Sequence, residues 1–172
     1  MFFKSVLVVV FMEKRVRKKL KVGFFSFTCC EGCMINVIEV FNEKFFDWKE
    51  RIDIRYFRAL KKVRPIRLMD IAFVEGAIST ESEIKKLKLI RENAGKVIAL
   101  GSGAINGWPS NLRNDFKLTK KNEIAELVKK LNQIDRVVPI KEFVKIDGEI
   151  PGCPINSSIF IQKMEELIGG RG

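Results

Sequence analysis

Three of the four cysteines lie within five consecutive positions, and this spacing is the strongest chemical signal in the chain. Cys29, Cys30 and Cys33 stand where an apolar run ends and an amphipathic run begins, whereas Cys153 lies far downstream in a Pro-Gly-Cys-Pro loop. Thiolates on two separate loops suit a metal centre held between those loops. Both zinc and iron–sulfur clusters use such sets of ligands.

Other uses of these cysteines fit the residues less well. Cys30 and Cys33 form a Cys-x-x-Cys pair of the thioredoxin-like redox type, but that interpretation leaves Cys29 and Cys153 unexplained. A structural zinc site normally uses two such pairs, and the second pair is absent. Two disulfides are disfavoured because three of the cysteines crowd together and no export signal accompanies them. Residue chemistry therefore favours a cluster, with zinc and a redox or structural role as alternatives.

Composition describes a folded protein of one domain. Of the 172 residues, 47% are hydrophobic and 31% charged, with 32 Lys and Arg against 21 Asp and Glu for a net charge of +11. The basic residues are scattered and no nucleic-acid motif accompanies them, so we expect a solvated surface with a docking face for an acidic partner rather than a nucleic-acid site. A composition rich in Lys, Glu and Arg also suits a thermophile. The absence of histidine excludes histidine-based acid–base chemistry and histidine metal ligands.

Hydrophobic periodicity predicts alternating strands and helices. Strands are predicted at Val22–Phe27, Ile52–Phe57, Ile71–Val74 and Val97–Leu100, with an extended segment at Val137–Ile150. One helix is predicted from an apolar stripe at Met34, Val37, Ile38, Phe41 and Phe45, and another from a stripe at Ile124, Leu127, Val128 and Leu131. A capping box at Thr80 and Glu83 predicts the start of a helix that ends near Asn93. A last helix is predicted at Ile159–Ile168.

Short apolar strands that alternate with helices predict an α/β fold with a parallel sheet covered on both faces. In such sheets, ligands bind at the carboxyl ends of the strands. The cysteine turn, Glu75-Gly76 and Gly101-Ser102-Gly103 all follow predicted strands. We therefore expect them to share one edge of the molecule.

Residues 1–20 are predicted to be an N-terminal extension of a domain that spans residues 21–172. The apolar run Ser5–Met12 is too short to span a bilayer, and the basic residues follow it rather than precede it, which is the wrong order for a signal peptide. An extra strand, a flexible arm and a segment that faces a partner or a membrane are the alternatives. The location expected for the protein is cytoplasmic, with any association with a membrane made through partner subunits.

Four segments in order along the chain resemble successive motifs of a known family. Val22–Cys33, Phe73–Gly76, Ala99–Ala104 and Pro151–Pro154 are similar to motifs of the [NiFe]-hydrogenase small subunit, in particular of the delta-type small subunits of cytoplasmic hydrogenases and sulfhydrogenases. The 20 kDa subunit of NADH:quinone oxidoreductase belongs to the same family. The resemblance covers residues 21–168 and implies a flavodoxin-like, doubly wound, three-layer α/β fold with cluster-binding loops at the carboxyl edge of the sheet.

The resemblance also implies a set of ligands. The family motifs place iron ligands at Cys30, Cys33 and Cys153, with a fourth expected at position 103, where this chain has Gly103. Cys29 matches the tandem cysteines of the complex I subunits, and our hypothesis is that it supplies the missing thiolate for one [4Fe–4S] cluster. A three-thiolate site with a [3Fe–4S] cluster, or with iron bound by Ser102 or water, is the rival, and loss of the cluster is a third alternative.

Residues beside the ligands are assigned to the same site. Gly101, Ser102 and Gly103 form the loop expected to border the cluster. Glu75 has two interpretations, a carboxylate that caps a helix or, as the resemblance implies, a residue close to the cluster and to the interface with the large subunit.

The function implied is electron transfer within a hydrogenase complex. The chain would relay electrons between a nickel–iron site on a separate large subunit and a further flavin or ferredoxin-like subunit, without catalytic residues of its own. Four cysteines suffice for one cubane cluster. The alternatives are a cluster-bearing subunit of a complex-I-like quinone or membrane oxidoreductase, and a non-redox zinc-binding or assembly protein.

Overall fold

A computed structural model describes residues 18–60 and 65–170. Its strands are β1 Leu20–Ser26, β2 Ile52–Phe57, β3 Met69–Glu75, β4 Ile78–Thr80, β5 Ala94–Leu100, β6 Gln133–Val138 and β7 Gly148–Ile150. Its α-helices are α1 Gly32–Glu43, α2 Phe45–Trp48, α3 Glu81–Asn93, α4 Gly101–Asn106, α5 Leu118–Lys130 and α6 Ser157–Gly169, with 3-10 helices at Ser110–Asp115 and Ile140–Glu142.

Five strands form a parallel sheet in the order β2-β1-β3-β5-β7. This is the flavodoxin-like order, in which the chain first moves to one side of β1 and then to the other. The remaining two strands, β4 and β6, pair antiparallel outside that sheet. The predicted doubly wound α/β fold is confirmed.

Side chains of the central strands alternate between two cores because successive residues of a strand point to opposite faces. Phe24 and Phe73 stack with ring centroids 5.0 Å apart beneath α1 and α6, and Phe160 of α6 packs edge-on against Phe73 at 5.6 Å. Phe25 and Val74 face the other core, which α3 and α4 cover. The sheet therefore lies in the middle of three layers, with its carboxyl edge open for loops.

The predicted capping box at the start of α3 is confirmed. Thr80 Oγ1 accepts a hydrogen bond from Glu83 N at 3.2 Å, and the Glu83 carboxylate accepts one from Thr80 N at 3.1 Å. Two of the orphan N–H groups at this end of the fold are thereby satisfied, which fixes where the helix begins.

Of two helices predicted from apolar stripes, the first was predicted too long and the second is confirmed. The first helix ends at Glu43, where Lys44 N donates to Val40 O, so Phe45 begins the separate helix α2 and is 53% exposed instead of extending the buried stripe. The stripe on α5 exists, but no residue of α5 is buried and Leu127 is 55% exposed, because α5 packs mainly on β6 at the margin of the fold.

The segment predicted to be extended from Val137 to Ile150 is divided in the structure. β6 begins earlier, at Gln133, and ends before Pro139, whose ring removes the N–H that a strand needs. A 3-10 turn then buries Ile140, and only Gly148–Ile150 joins the parallel sheet.

The predicted N-terminal extension falls largely outside the described residues, which begin at Lys18. Leu20, which we had assigned to the extension, is a buried residue of β1 and pairs with Ile52 of β2. Among the described helices, none is both long enough and apolar enough to cross a bilayer.

We expect Thr80→Ala to lower the free energy of unfolding by about 1 kcal/mol, because it removes the side-chain acceptor of the capping box. Thr119→Ala is the matched control, since Thr119 lies in the first turn of α5, whose start has no side-chain cap. Urea denaturation followed by circular dichroism measures both variants. Equal free energies of unfolding for the two variants would contradict the role given to the box.

Candidate metal centre

A cavity of about 470 Å³ opens at the carboxyl edge of the sheet, and all four cysteines line it. The loops after β1, β3, β5 and β7 each contribute to its wall, as expected for ligand sites in open parallel sheets. Of the other predicted site residues, three line it directly, namely Glu75, Ser102 and Gly103. The structure thus brings Cys153 to the Cys29–Cys33 turn across 120 residues of sequence.

Backbone pairing holds the cysteine turn in place. Thr28, immediately before Cys29, forms an isolated antiparallel bridge with Ala77, with N–H···O distances of 3.1 and 2.9 Å. Glu31 then adopts a left-handed conformation with φ 63°, which turns the chain into α1. Because Gly32 begins α1, Cys33 lies in the first turn of a rigid helix.

A polar network ties the same turn to α3. Thr28 Oγ1 lies 2.6 Å from Ser79 Oγ and donates to Glu83 Oε1 at 3.0 Å. Glu83 also accepts a hydrogen bond from Ser79 N at 2.8 Å, in addition to its capping box. The sequence indicated the box but not its link to Thr28, because these residues are more than 50 positions apart and no spacing rule connects them.

The loop that carries Cys153 is bound on two sides. Gly152 O accepts hydrogen bonds from Ser102 N at 2.8 Å and from Ser102 Oγ at 3.2 Å. Ile155 O accepts one from Asn36 Nδ2 of α1 at 2.9 Å. These contacts place Cys153 opposite the first cysteine loop. The Ser102 hydroxyl is one of the donors that hold the Cys153 loop.

Glycines border the cysteines where a side chain would collide with them. Gly101 has φ +74°, and a Cβ built there would lie 2.5 Å from Cys33 Sγ. Gly76 has φ +92°, and its Cβ would lie 3.0 Å from Cys29 Cβ. Both positions need glycine for its backbone conformation and for the space it leaves. The cavity is therefore shaped by glycines around the sulfur atoms.

Gly76 lies between position 103 and Cys29. A Cβ built on Gly103 would lie 3.1 Å from Gly76 Cα, and Gly76 in turn lies against Cys29. Gly103 allows α4 to approach the turn after β3 closely. The place where the family pattern has a cysteine is thus adjacent to the place where this chain has Cys29.

Glu75 caps α1 from the end of β3. It is 3% exposed, and its carboxylate accepts hydrogen bonds from Cys33 N and Met34 N, both at 3.1 Å. Because α1 has no side-chain cap of its own, this carboxylate satisfies its first N–H groups and complements the positive end of its dipole. Glu75 also lines the cavity with the cysteines. The capping interpretation is confirmed, and its position next to a cluster and a large subunit stays a prediction.

Burial and neighbouring carboxylates keep two thiols protonated in the metal-free chain. Burial raises the pKa of Cys29 to about 12, and the Glu75 and Glu31 carboxylates add to the shift. Burial and Glu75 raise the pKa of Cys33 to about 12 as well. Burial also raises the pKa of Glu75, against the hydrogen bonds that Cys33 donates. A cationic centre would reverse this balance, because metal binding displaces the thiol protons.

The donor set fits an iron–sulfur cluster. Four thiols from two loops surround one cavity, and glycines leave room beside the sulfur atoms. A second possible arrangement of donors is the group of Cys29, Glu31 and Glu75, whose ligand atoms lie within 4.8 Å of one another. That group leaves out three of the four cysteines that line the cavity.

Trp108 borders the mouth of the cavity. It is 46% exposed and lines the cavity together with Pro109. Cys30 and Cys153 are exposed at the same cavity, whereas Cys33 is buried. The cavity is thus open toward one side of the isolated chain.

Comparison with protein families gives a match over most of the chain. Residues 30–167 match the family described as NADH ubiquinone oxidoreductase, 20 kDa subunit.

Curated relatives of similar sequence are hydrogenase subunits. The chain is 28% identical over 155 residues to the delta subunit of sulfhydrogenase 2 from Pyrococcus furiosus, covering 88% of this chain and 63% of the relative. It is 28% identical over 173 residues to a subunit of the F420-non-reducing hydrogenase from Methanothermobacter thermautotrophicus, covering 89% and 54%. It is also 28% identical over 171 residues to the delta subunit of the NAD-reducing hydrogenase from Cupriavidus necator, covering 89% and 80%. The chain thus spans less than two thirds of the first two relatives.

Solved structures share the fold. A chain of an NAD⁺-reducing [NiFe]-hydrogenase in the H2-reduced state superimposes with a TM-score of 0.79 at 21% identity, covering 90% of this chain and 94% of that one. A chain of the [NiFeSe] hydrogenase from Desulfovibrio vulgaris Hildenborough gives 0.61 at 15% identity, covering 89% and 64%.

In the reduced, metal-free protein we expect iodoacetamide to modify Cys30 and Cys153 before Cys29 and Cys33. The first two are exposed, whereas burial and a raised pKa leave the other two as unreactive thiols. Peptide mass spectrometry over a time course measures each rate. In urea the four rates should converge, and equal rates in the folded protein would contradict the arrangement of the cavity.

We expect Glu75→Ala to lower the free energy of unfolding of the metal-free protein by about 2–4 kcal/mol, because two buried N–H groups lose a charged acceptor. Glu75→Gln keeps one acceptor oxygen and should cost about half as much. The control is Glu126→Ala on the exposed side of α5, expected to stay within about 0.5 kcal/mol of the parent protein. Urea titration checks the order, and a Glu75→Ala variant as stable as the control would rule out the cap.

Proposed function

Because the chain belongs to the family of the 20 kDa subunit of NADH:ubiquinone oxidoreductase, we propose that it is the electron-transfer subunit of a [NiFe]-hydrogenase. It would hold one iron–sulfur cluster beside a nickel–iron site that a separate large subunit carries. The observation that carries the proposal is the convergence of Cys153 with Cys29, Cys30 and Cys33 on one cavity. The curated relatives, which are hydrogenase subunits, support hydrogenase over other members of the family.

The proposed ligands are Cys29, Cys30, Cys33 and Cys153, and the proposed centre is [4Fe–4S]. Four thiolates are the usual complement of such a cluster. The contact of Cys29 with Gly76, which itself lies against position 103, supports Cys29 as the substitute for the ligand that Gly103 lacks. Ser102 is a weaker candidate because its hydroxyl already donates to Gly152 O. When bound, the cluster supplies a carrier for single electrons.

The chain's own residues position and shield this centre. Glu75 fixes the start of α1 and with it Cys33, while the bond from Ser102 to Gly152 fixes the loop of Cys153. Gly76 and Gly101 leave the space beside the sulfur atoms. The core beneath the cavity excludes water from one side, and we propose that the large subunit covers the exposed side near Cys30 and Trp108.

Further partners follow from the single cluster that four cysteines allow. Electrons that reach this chain must leave to another subunit with its own redox group, for which we propose a flavin or ferredoxin-like protein. The alternative is a subunit of a complex-I-like quinone or membrane oxidoreductase, which the tandem Cys29-Cys30 favours. Association of the purified protein with membrane subunits rather than with a nickel-containing subunit would select that alternative.

We expect the anaerobically purified protein to contain about four iron and about four sulfide ions per chain, with an EPR signal that appears on reduction. Cys29→Ala should lose iron and give a cluster that is EPR-active when oxidised, as a three-iron centre is. Metal analysis and EPR of the two proteins measure this. Ser110→Ala, at the rim of the same cavity, is the control and should keep the parent content.

Each result separates one alternative. An unchanged cluster in Cys29→Ala, with a three-iron signal already in the parent protein, would show that three thiolates hold the centre. Zinc without iron would replace the proposal with the zinc-binding alternative. The double variant Cys29→Ala/Gly103→Cys tests substitution directly, since regained iron would mean that the two positions serve the same ligand site.

A further inference from the structure

A second cavity, larger than the one lined by the cysteines, lies at the carboxyl ends of β1 and β2 between α1 and α3. It has a volume of about 700 Å³. We call it the Lys86 cleft and define it by Phe27, Glu31, Met34, Tyr56, Arg58 and Lys86. No cysteine lines it, although its wall is made by residues of the same turn.

The cysteine turn separates the two cavities. Phe27, Glu31 and Met34 line the Lys86 cleft, whereas Cys29, Cys30 and Cys33 line the metal cavity. Only a few residues of this turn separate the cleft from the cysteines. A partner protein that covers the exposed side of the cysteines would therefore lie close to the cleft.

The carboxylates of the cleft already have donors. Glu31 Oε2 accepts a hydrogen bond from Ser26 Oγ at 2.8 Å. Glu83 accepts hydrogen bonds from Thr28 Oγ1, Ser79 N and Thr80 N at 2.8–3.1 Å. Neither acid makes an ion pair within the described part of the chain.

The cations of the cleft, Lys86 and Arg58, likewise make no ion pair with any described carboxylate. The Lys86 ammonium is half-buried and lies over the rings of Phe27 and Tyr56, at 5.4 and 5.9 Å from their centroids. Burial lowers the pKa of Lys86 and the nearby Arg58 lowers it further, while the Glu83 and Glu31 carboxylates act in the opposite direction. An anion placed here would stabilise two neighbouring positive charges that form no ion pair among the described residues.

Most of the remaining wall is apolar, although Ser26 and Ser82 also line it. Phe24, Met34, Ile38 and Phe57 line the cleft, and Ile35 of α1 is 55% exposed at its side. The best occupant therefore combines a carboxylate with an aliphatic or aromatic group. A carboxylate would complement Lys86 and Arg58, which have no ion-pair partner among the described residues.

We propose that the Lys86 cleft receives a segment of the large subunit in which a carboxylate side chain lies next to an aliphatic or aromatic one. The inference rests on the proposed function, because the same subunit covers the cysteines. A polypeptide fits better than a free small molecule, since the cleft is open to the surface and only the cysteine turn separates it from the metal cavity. The segment would anchor the large subunit beside the cluster without ligating it.

The test uses the cluster-loaded chain and its purified large subunit. We expect Lys86→Glu and Arg58→Glu to weaken their association at least about tenfold, because each places a like charge against the acidic segment. Lys88→Glu makes the same change of charge on the exposed side of α3 and should bind as the parent does. Lys86→Arg keeps the charge and should bind within a few-fold of the parent. Equal dissociation constants for Lys86→Glu, Arg58→Glu and Lys88→Glu would overturn the proposal.

A second measurement uses the parent chain, so its result does not depend on whether a variant folds. In the assembled complex, an amine-reactive ester should modify Lys86 at least about tenfold more slowly than in the free chain, while Lys88 keeps its rate. Unchanged reactivity of Lys86 in the complex would overturn the assignment. So would protection that depends on the concentration of this chain alone, because it would indicate that a second copy of the chain occupies the cleft. If the parent chain carries iron but binds no large subunit, the proposed function fails together with this inference. If the parent chain binds the large subunit but Lys86→Glu, Arg58→Glu and Lys88→Glu all bind it equally well, this inference fails and the proposed function is unaffected.

Discussion

The carboxylate of Glu75 links the sheet to the cysteine turn, and the geometry of the site depends on this contact. It lies at the end of β3 and receives the first N–H groups of α1, from Cys33 and Met34. Burying a carboxylate is unfavourable unless it is hydrogen-bonded, so the position of Glu75 and the start of α1 stabilise each other. Cys33 is therefore held by the buried end of β3 and does not lie on a free loop.

The two cysteine loops converge because parallel strands end at one edge. The order β2-β1-β3-β5-β7 puts the loops after β1 and β7 on that edge with those after β3 and β5 between them. The intervening loops carry glycines, so their backbones come close to the sulfur atoms where a side chain would collide. Backbone bonds from Ser102 to Gly152 and between Thr28 and Ala77 then hold each loop to its neighbour.

The surface around this edge leaves several residues of both cavities exposed in the described chain. Cys30, Cys153 and Trp108 are exposed beside the metal cavity, and the Lys86 cleft opens on the other side of the same turn. The cluster that we propose at this site would need a cover to keep water away from it. Lys86 and Arg58, which form no ion pair within the described residues, and the apolar wall between them indicate the kind of surface that such a cover would present.

The sequence by itself determined the alternation of strands and helices, the parallel sheet, the capping box of Thr80 and Glu83, and the set of four cysteines, because these depend on local periodicity and on residue type. The exposure of Phe45 and of the α5 stripe was decided by the tertiary structure, since a stripe records an apolar face but not whether another element covers it. The structure also decided how Glu75 caps α1, how Thr28 joins Glu83, and how Gly76 brings Cys29 near position 103. Those contacts join residues tens of positions apart, and no spacing in a single sequence encodes the distance between two loops.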